Sequence, residues 1–480
     1  MEGQEKSKEC DKGFSSSFML LKPEEVRFVD LIRILYSSNL DDRKFVDSSS
    51  ETAESFRYRW LILISIVVQK MLMFTAKPMA WMGSTIEMLL NLLAINKNFF
   101  LLLINLIRGK DDWPDRDSAT FISFIGNMDK RMKLDGEIKP QHGCKYYSAL
   151  SMMASKASYE NRAYIETIVN DHWKVMEYLG FYDHWNDYQE KATTQLFVCR
   201  DKSENHDTIV VAFRGTEPFD ADAWCSDFDL SWYELQGMGK IHGGFMKALG
   251  LQKNVGWPME CKDNPSRKQP LAYYFIRDKL KSLLTESENT KYILTGHSLG
   301  GALAILFPAI LFLHEENLLL QRLEGVFTYG QPRVGDEKFG KYMENKLEEH
   351  KVRYFRTVYC NDMVPRLPYD DKDLLFKHFG TCIYYNRHYQ GKVVPETPNK
   401  NYFSPPLAIP MMINAVCELI RSFTLYYSKG PEYKEGWFMR VFRIIGLVMP
   451  GVSAHSTQDY VNSTRLGSSD VFLPPQEMIP

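Results

Sequence analysis

The sequence predicts an α/β fold: a mostly parallel central sheet covered on both faces, preceded by an apolar, helical N-terminal region. Three observations predict it. Short apolar or β-branched runs at Thr194–Cys199, Thr208–Phe213, Tyr292–Leu294, Val326–Tyr329 and Val352–Val358 alternate with helical stretches along the second half of the chain, as a buried parallel sheet requires. The pentapeptide Gly296-His297-Ser298-Leu299-Gly300 stands between one such strand and a helix-forming run, Gly301 to Leu313. Two dense apolar runs, 60–75 and 86–107, come before all of these.

Bulk properties narrow the function. The chain has 480 residues, 45% of them hydrophobic, which is enough for a large core. Lys+Arg number 58 against 60 Asp+Glu, a formal net charge of −2, so nucleic acid is not expected as a partner. The eight cysteines are scattered, with no C-x-x-C pair and no metal-ligand spacing. We expect reduced thiols in a cytosolic setting, with no metal. The start, Met1 to about Ser17, is polar and lacks the basic-then-apolar order of a secretory signal.

Taken in order, Lys22-Pro23-Glu24-Glu25 has proline and acids where a helix begins, with Val26, Val29, Ile32 and Leu35 on one stripe behind it. Residues 37–55 are polar. The run 60–75 is interrupted by Gln69 and Lys70, and Pro78 and Gly83 should break it. The run 86–107 carries Glu87 and Lys97, and basic residues flank the pair: Arg57, Arg59, Lys77, Arg108 and Lys110. Neither run is a clean membrane span. Residues 57–110 are expected to lie in a membrane or lipid-droplet surface as two helices, or else to cap the globular core. Asp111-Asp112-Trp113-Pro114-Asp115 reads as a linker, dividing the chain into 1–112 and 113–480. Residues 118–190 read as structural helices. Two strands around a polar turn at 201–207 follow, and then the elbow strand and helix at 291–313.

The pentapeptide is a G-x-S-x-G elbow. It places Ser298 on a sharp turn from strand to helix, and Gly296 and Gly300 leave room for backbone packed close beside it. A serine hydroxyl is a weak nucleophile until a base takes its proton, and a histidine base needs an orienting carboxylate. In folds with this elbow the order along the chain is Ser, acid, His. Asp362 is the best acid, in a loop after the apolar run Arg356–Cys360 and ahead of Pro365. Asp336, Asp370, Asp371 and Asp373 compete, the last three resembling an exposed acidic turn. His297, His378, His388 and His455 are the candidate bases. His297 is held inside the elbow, and His378 resembles a packed strand histidine. His455 follows a loop signal and precedes the terminal helix, which makes it the choice. The oxyanion donors are expected from the N–H of Leu299 and from Thr216, at the end of Val210–Phe213. Residues 219–235 interleave aromatics with aspartates, and Trp224, Phe228 and Trp232 are candidates for a lid over an apolar pocket.

Five segments carry a family resemblance: Phe213-Arg214-Gly215-Thr216, Ile241-His242-Gly243-Gly244-Phe245, Thr295 to Ala302, Thr328-Tyr329-Gly330-Gln331-Pro332-Arg333-Val334-Gly335, and Asn361-Asp362-Met363-Val364-Pro365-Arg366-Leu367-Pro368. The chain resembles the class 3 lipases, α/β-hydrolases that include fungal triacylglycerol lipases, over roughly 190–465. The resemblance puts nucleophile, acid and base on Ser298, Asp362 and His455, the oxyanion residue on Thr216 and the lid near 217–235. The long N-terminal region and His455–Tyr460 look more like plant oil-body lipases. That implies triacylglycerol hydrolysis without a cofactor at the cytosolic face of a lipid droplet or of the endoplasmic reticulum. A phospholipase A1 or galactolipase, or an inactive lipase-fold scaffold, are the alternatives. Residues 405–451 have no counterpart in the short fungal pattern. They suit a second lid, a wall for the acyl chain or another membrane contact.

Overall fold

A computed structural model describes residues 14–15, 17–36, 45–48, 56–97, 99–109, 113–173, 176–203, 206–370, 376–402 and 405–472. Its centre is a sheet of eight strands among the described residues: β1 (Met176–Asn186), β2 (Lys191–Ser203), β3 (His206–Phe213), β4 (Lys291–His297), β5 (Leu323–Tyr329), β6 (Arg353–Tyr359), β7 (Thr381–Tyr385) and β8 (Gly391–Val394). Spatial order follows chain order. The five strands β3 to β7 are mutually parallel, and the two edges fold back antiparallel. The centre is buried on both faces, which explains its unbroken apolar runs. In β3, Ile209, Val211 and Phe213 join one core with helices Ala272–Thr285 and Leu299–Leu313. Val210 and Ala212 join the opposite core with helices Cys144–Ala157 and Thr457–Leu466.

The structure corrects several readings of the first 190 residues. Met176–Asn186 is a strand, not a helix: pairing with β2 overrides its helical spacing. The region 1–112 is not purely helical, because Ser17–Leu21 and Val46–Ser48 add two strands to a second sheet, Ser17–Leu21 pairing with Trp232–Glu234. Helix Phe28–Tyr36 buries Ile34 and leaves Val29 and Ile32 exposed, so its inner face is turned from the one expected. The expected break at Pro78 and Gly83 does not occur, since one helix runs from Phe56 to Ile95. Tertiary contacts hold it on either side of Pro78, at Ser65 and at Gly83. A Cβ on Gly83 would lie 2.6 Å from the Cβ of Phe219, so glycine is there to let helix and loop touch. The second apolar run is divided: residues 86–95 complete the long helix, and a separate short helix follows, Phe99–Ile107. The linker positions Asp111 and Asp112 lie outside the described residues.

The long helix has inverted polarity. Ser65, Gln69 and Asn91 are buried with Ile62, Ile66 and Leu90, while Trp60, Met71, Phe74 and Trp81 are exposed, Phe74 at 87% and Trp81 at 72%. The inward polar groups hold the body of the protein. Ser65 Oγ donates to the Phe228 carbonyl at 2.6 Å, and Asn91 exchanges two hydrogen bonds with the Ile122 backbone, both 2.9 Å.

Candidate active site

The elbow forms as its residues dictate. β4 ends at His297, helix Leu299–Leu313 starts at once, and Ser298 between them has φ 58° and ψ −130°, a left-handed conformation costly for a non-glycine residue. Its N–H donates to the Tyr329 carbonyl at 2.9 Å, which holds the strained turn against β5. A Cβ on Gly296 would sit 2.1 Å from the Gly300 carbonyl carbon, and one on Gly300 would sit 2.3 Å from the Phe213 oxygen. Both glycines are therefore required by backbone contact.

Three distant side chains meet here. The Ser298 hydroxyl lies 2.9 Å from His455 Nε2, and His455 Nδ1 lies 2.8 Å from Asp362 Oδ2. Asp362 is fully buried in the loop after β6. Its Oδ1 accepts the Val364 N–H at 2.9 Å, and its Oδ2 also accepts the Tyr460 hydroxyl at 2.5 Å. Burial and the adjacent Asp362 carboxylate raise the Tyr460 phenol well above its usual range, so it remains a donor. Arg366 ties the loop from beneath through the carbonyls of Asp362 and Cys360.

A second histidine supports the first. His297 Nε2 lies 3.0 Å from the His455 carbonyl, and its Nδ1 lies 2.9 Å from the Tyr159 hydroxyl. A carbonyl only accepts, so Nε2 carries the proton and Tyr159 donates to Nδ1. Burial, and then the nearby His455, push the His297 imidazole well below its ordinary range, so it stays neutral. It holds the backbone of His455.

The remaining candidates fall elsewhere. Asp336 caps helix Glu337–Glu349 by accepting from Phe339 N at 2.8 Å. Asp370 pairs with Lys400, and Asp371 and Asp373 lie outside the described residues. His378 Nε2 donates to the Pro365 carbonyl at 2.6 Å, and His388 is exposed.

The segment read as a lid divides in two. Residues Ala221–Phe228 form a helix capped by Asp220, with Trp224 and Phe228 in it. Trp232 instead lies in strand Trp232–Leu235, opposite Met19, with Lys240 over its ring. Cross-strand pairing fixes it there, which corrects its assignment to a lid. The Thr216 hydroxyl donates to Asp227 Oδ2 at 2.7 Å, tying the helix to the rim of the site. Burial pushes the Asp227 carboxyl up to about 7, against the opposing pull of the Thr216 hydroxyl and of His455. Ser298 itself is only 7% exposed.

Comparison with known proteins now bears on this geometry. The class 3 lipase family profile matches residues 210–372. Proteins named "Triacylglycerol lipase OBL1" are similar over nearly the whole chain. The one from Nicotiana tabacum is 44% identical, covering 86% of this chain and 84% of its own. The one from Arabidopsis thaliana is 42% identical, covering 95% and 96%, and the one from Ricinus communis is 38% identical, covering 94% and 95%. The chain belongs to the class 3 lipase family. Its α/β-hydrolase sheet, with the elbow after β4 and Asp362 after β6, is the architecture this lipase places around Ser298.

Three neighbours of the site escaped the sequence reading. Tyr159 is an aromatic residue among many, and nothing in its spacing marks it, whereas Tyr460 closes the segment His455–Tyr460 that carried part of the resemblance. Gly330 had a signal, since it sits in the Thr328–Gly335 segment. Its φ is +58°, and a Cβ there would lie 2.9 Å from both Asp362 Oδ2 and His455 Cε1.

Proposed function

We propose that this lipase hydrolyses triacylglycerol at the surface of a lipid droplet through an acyl-enzyme on Ser298. The observation that carries the reading is the continuous chain Ser298–His455–Asp362, with hydrogen bonds of 2.9 and 2.8 Å. His455 Nε2 takes the serine proton as Oγ attacks the ester carbonyl, and later gives it to the departing glycerol oxygen. Asp362 fixes the tautomer with hydrogen on Nδ1 and stabilises the imidazolium that forms. The backbone N–H of Leu299 and Thr216 serve the oxyanion. Water, activated by the same imidazole, then releases the fatty acid. Each step moves one proton between oxygen and nitrogen, so the chain's own residues suffice.

Substrate class follows from the relatives' names and from the apolar exterior. Helices Phe56–Ile95 and Phe99–Ile107 expose tryptophan, phenylalanine and methionine on the solvent side, the pattern of a surface built to lie in lipid. Helix Ala221–Phe228 acts as the lid. It bonds to the long helix through Ser65 and to the rim through Asp227, so seating the long helix in lipid bears directly on it.

The decisive experiment compares wild type with Ser298→Ala on triolein emulsions. The variant should lose hydrolysis by about 10⁴-fold or more while still floating with the emulsion, and an organophosphonate should label wild type at Ser298. Residual hydrolysis near wild type would reject Ser298 as nucleophile. Faster turnover of pure phosphatidylcholine or galactolipid than of triolein would reassign the substrate.

A further inference from the structure

The segment absent from the short fungal pattern folds as a helical hairpin, Ala408–Lys429 and Trp437–Val448, and its polarity is inverted. Glu418, Ser422 and Arg443 face inward and are buried, Arg443 completely. Ile409, Ile413, Val416, Ile420, Phe423 and Tyr427 recur at helical spacing on the outside, each about half exposed or more, over roughly 27 Å. The second helix repeats the pattern with Trp437, Val441, Ile444 and Val448.

This outward face is fixed. Arg443 reaches three carboxylates: Asp459 at 2.6 and 2.9 Å, Glu435 at 2.9 and 3.2 Å, and Glu418 at 3.4 Å. Arg421 adds a bond to Asp459 at 2.9 Å. Asp459 lies in helix Thr457–Leu466, whose N-cap follows His455 directly. A hairpin anchored through its buried charges cannot turn its apolar side inward without stranding them.

We infer that the outer face of the 408–448 hairpin is a second lipid-docking surface, seated on a phospholipid-coated interface together with helix Phe56–Ile95. The inference rests on the lipid-surface reading above and extends it to the other end of the chain. Two observations select lipid as the occupant. The face is continuous with the first, because Ile86 of the long helix, Phe219 at the lid entry and Phe438 and Phe442 of the hairpin pack on one cluster around Phe124 and Met439. Its charge also suits phospholipid. Glu418 is the sole carboxylate in the two helices and is buried, whereas exposed Lys429 and Lys434 border the apolar face with one exposed carboxylate, Glu432, between them, a net positive rim. Ala408–Lys429 is long and apolar enough to cross a membrane. Its inner side is bonded to the body, however, so it lies along the surface.

The test uses the full chain with vesicles of phosphatidylcholine and phosphatidylserine. The double variant Val416→Asp/Phe423→Asp should lower the floated fraction about tenfold while hydrolysis of dissolved p-nitrophenyl butyrate stays within about twofold. Flotation equal to wild type overturns the inference, as does loss of self-association in light scattering with flotation unchanged, which would make a second copy the occupant. Wild-type protein gives an independent measure: Met412 and Met449 are half exposed, and vesicles should slow their peroxide oxidation several-fold, with an unchanged rate overturning the proposal. The parallel variant Phe74→Asp/Trp81→Asp separates the two readings. If it alone loses flotation, the first surface stands and the second falls. If wild type does not float at all, both fall.

Discussion

Asp227 should make the lid sensitive to pH. Its Oδ2 accepts the Thr216 hydroxyl, whereas its Oδ1 has neither water access nor a partner. Ionisation in place would leave a poorly compensated buried charge, and burial accordingly pushes this carboxyl up to about 7 from the ordinary value of 3.8. The pKa is raised in the covered state, so the closed lid keeps its proton where a displaced lid has already lost it. Stabilisation of the closed form is complete below about pH 4. It falls by about 1.4 kcal/mol per unit up to about pH 7, then levels off after a total of about 4 kcal/mol. Asp227→Asn keeps an acceptor for Thr216 but cannot ionise. The assay is kcat/KM on dissolved p-nitrophenyl butyrate from pH 4.5 to 8, expressed as the ratio of wild type to variant. The ratio should climb by about an order of magnitude or more between pH 5 and 7 and then flatten. On triolein emulsion, where the interface displaces the lid, it should stay level. A ratio flat with pH on the dissolved ester would refute the latch.

Two further substitutions probe the support of the acid and base. Tyr460→Phe removes a charge-assisted hydrogen bond from Asp362, worth about 1.5–3 kcal/mol; kcat should fall about tenfold with KM unchanged, and unaltered kcat would reduce Tyr460 to packing. Gly330→Ala places a methyl 2.9 Å from both Asp362 Oδ2 and His455 Cε1 at a φ of +58°; stopped-assay kinetics should show kcat/KM down about 10²-fold, against a thermal cost of only about 1–2 kcal/mol, and a variant within twofold of wild type would show that the pair has slack.

What could be read from sequence, and what could not, follows the range of each interaction. The elbow is written locally: Gly296 and Gly300 contact backbone four residues away or on the neighbouring strand, so the pentapeptide carries its own geometry. Asp362 and His455 were reachable because the elbow's chemistry demands an acid and then a base downstream, and few residues fit that order. The apolar runs were legible as apolar helices, but not their shape. Pro78 argues for a break, and only the Phe219 contact at Gly83 and the Ser65 bond to Phe228 show why the helix continues. Trp232 failed for the same reason, since its partner Met19 lies more than two hundred residues away and leaves no mark on the spacing around 232. The 408–448 hairpin is the sharpest case. Its apolar stripe left a second lid, an acyl-chain wall and a membrane contact all open, because periodicity records that one face differs from the other but not which face meets the protein. Arg443 and Glu418 decide it. Two opposite charges spaced to lie behind such a stripe can be buried only if they meet, and once they meet each other and Asp459 beneath the helices, the apolar side has nowhere to go but outward.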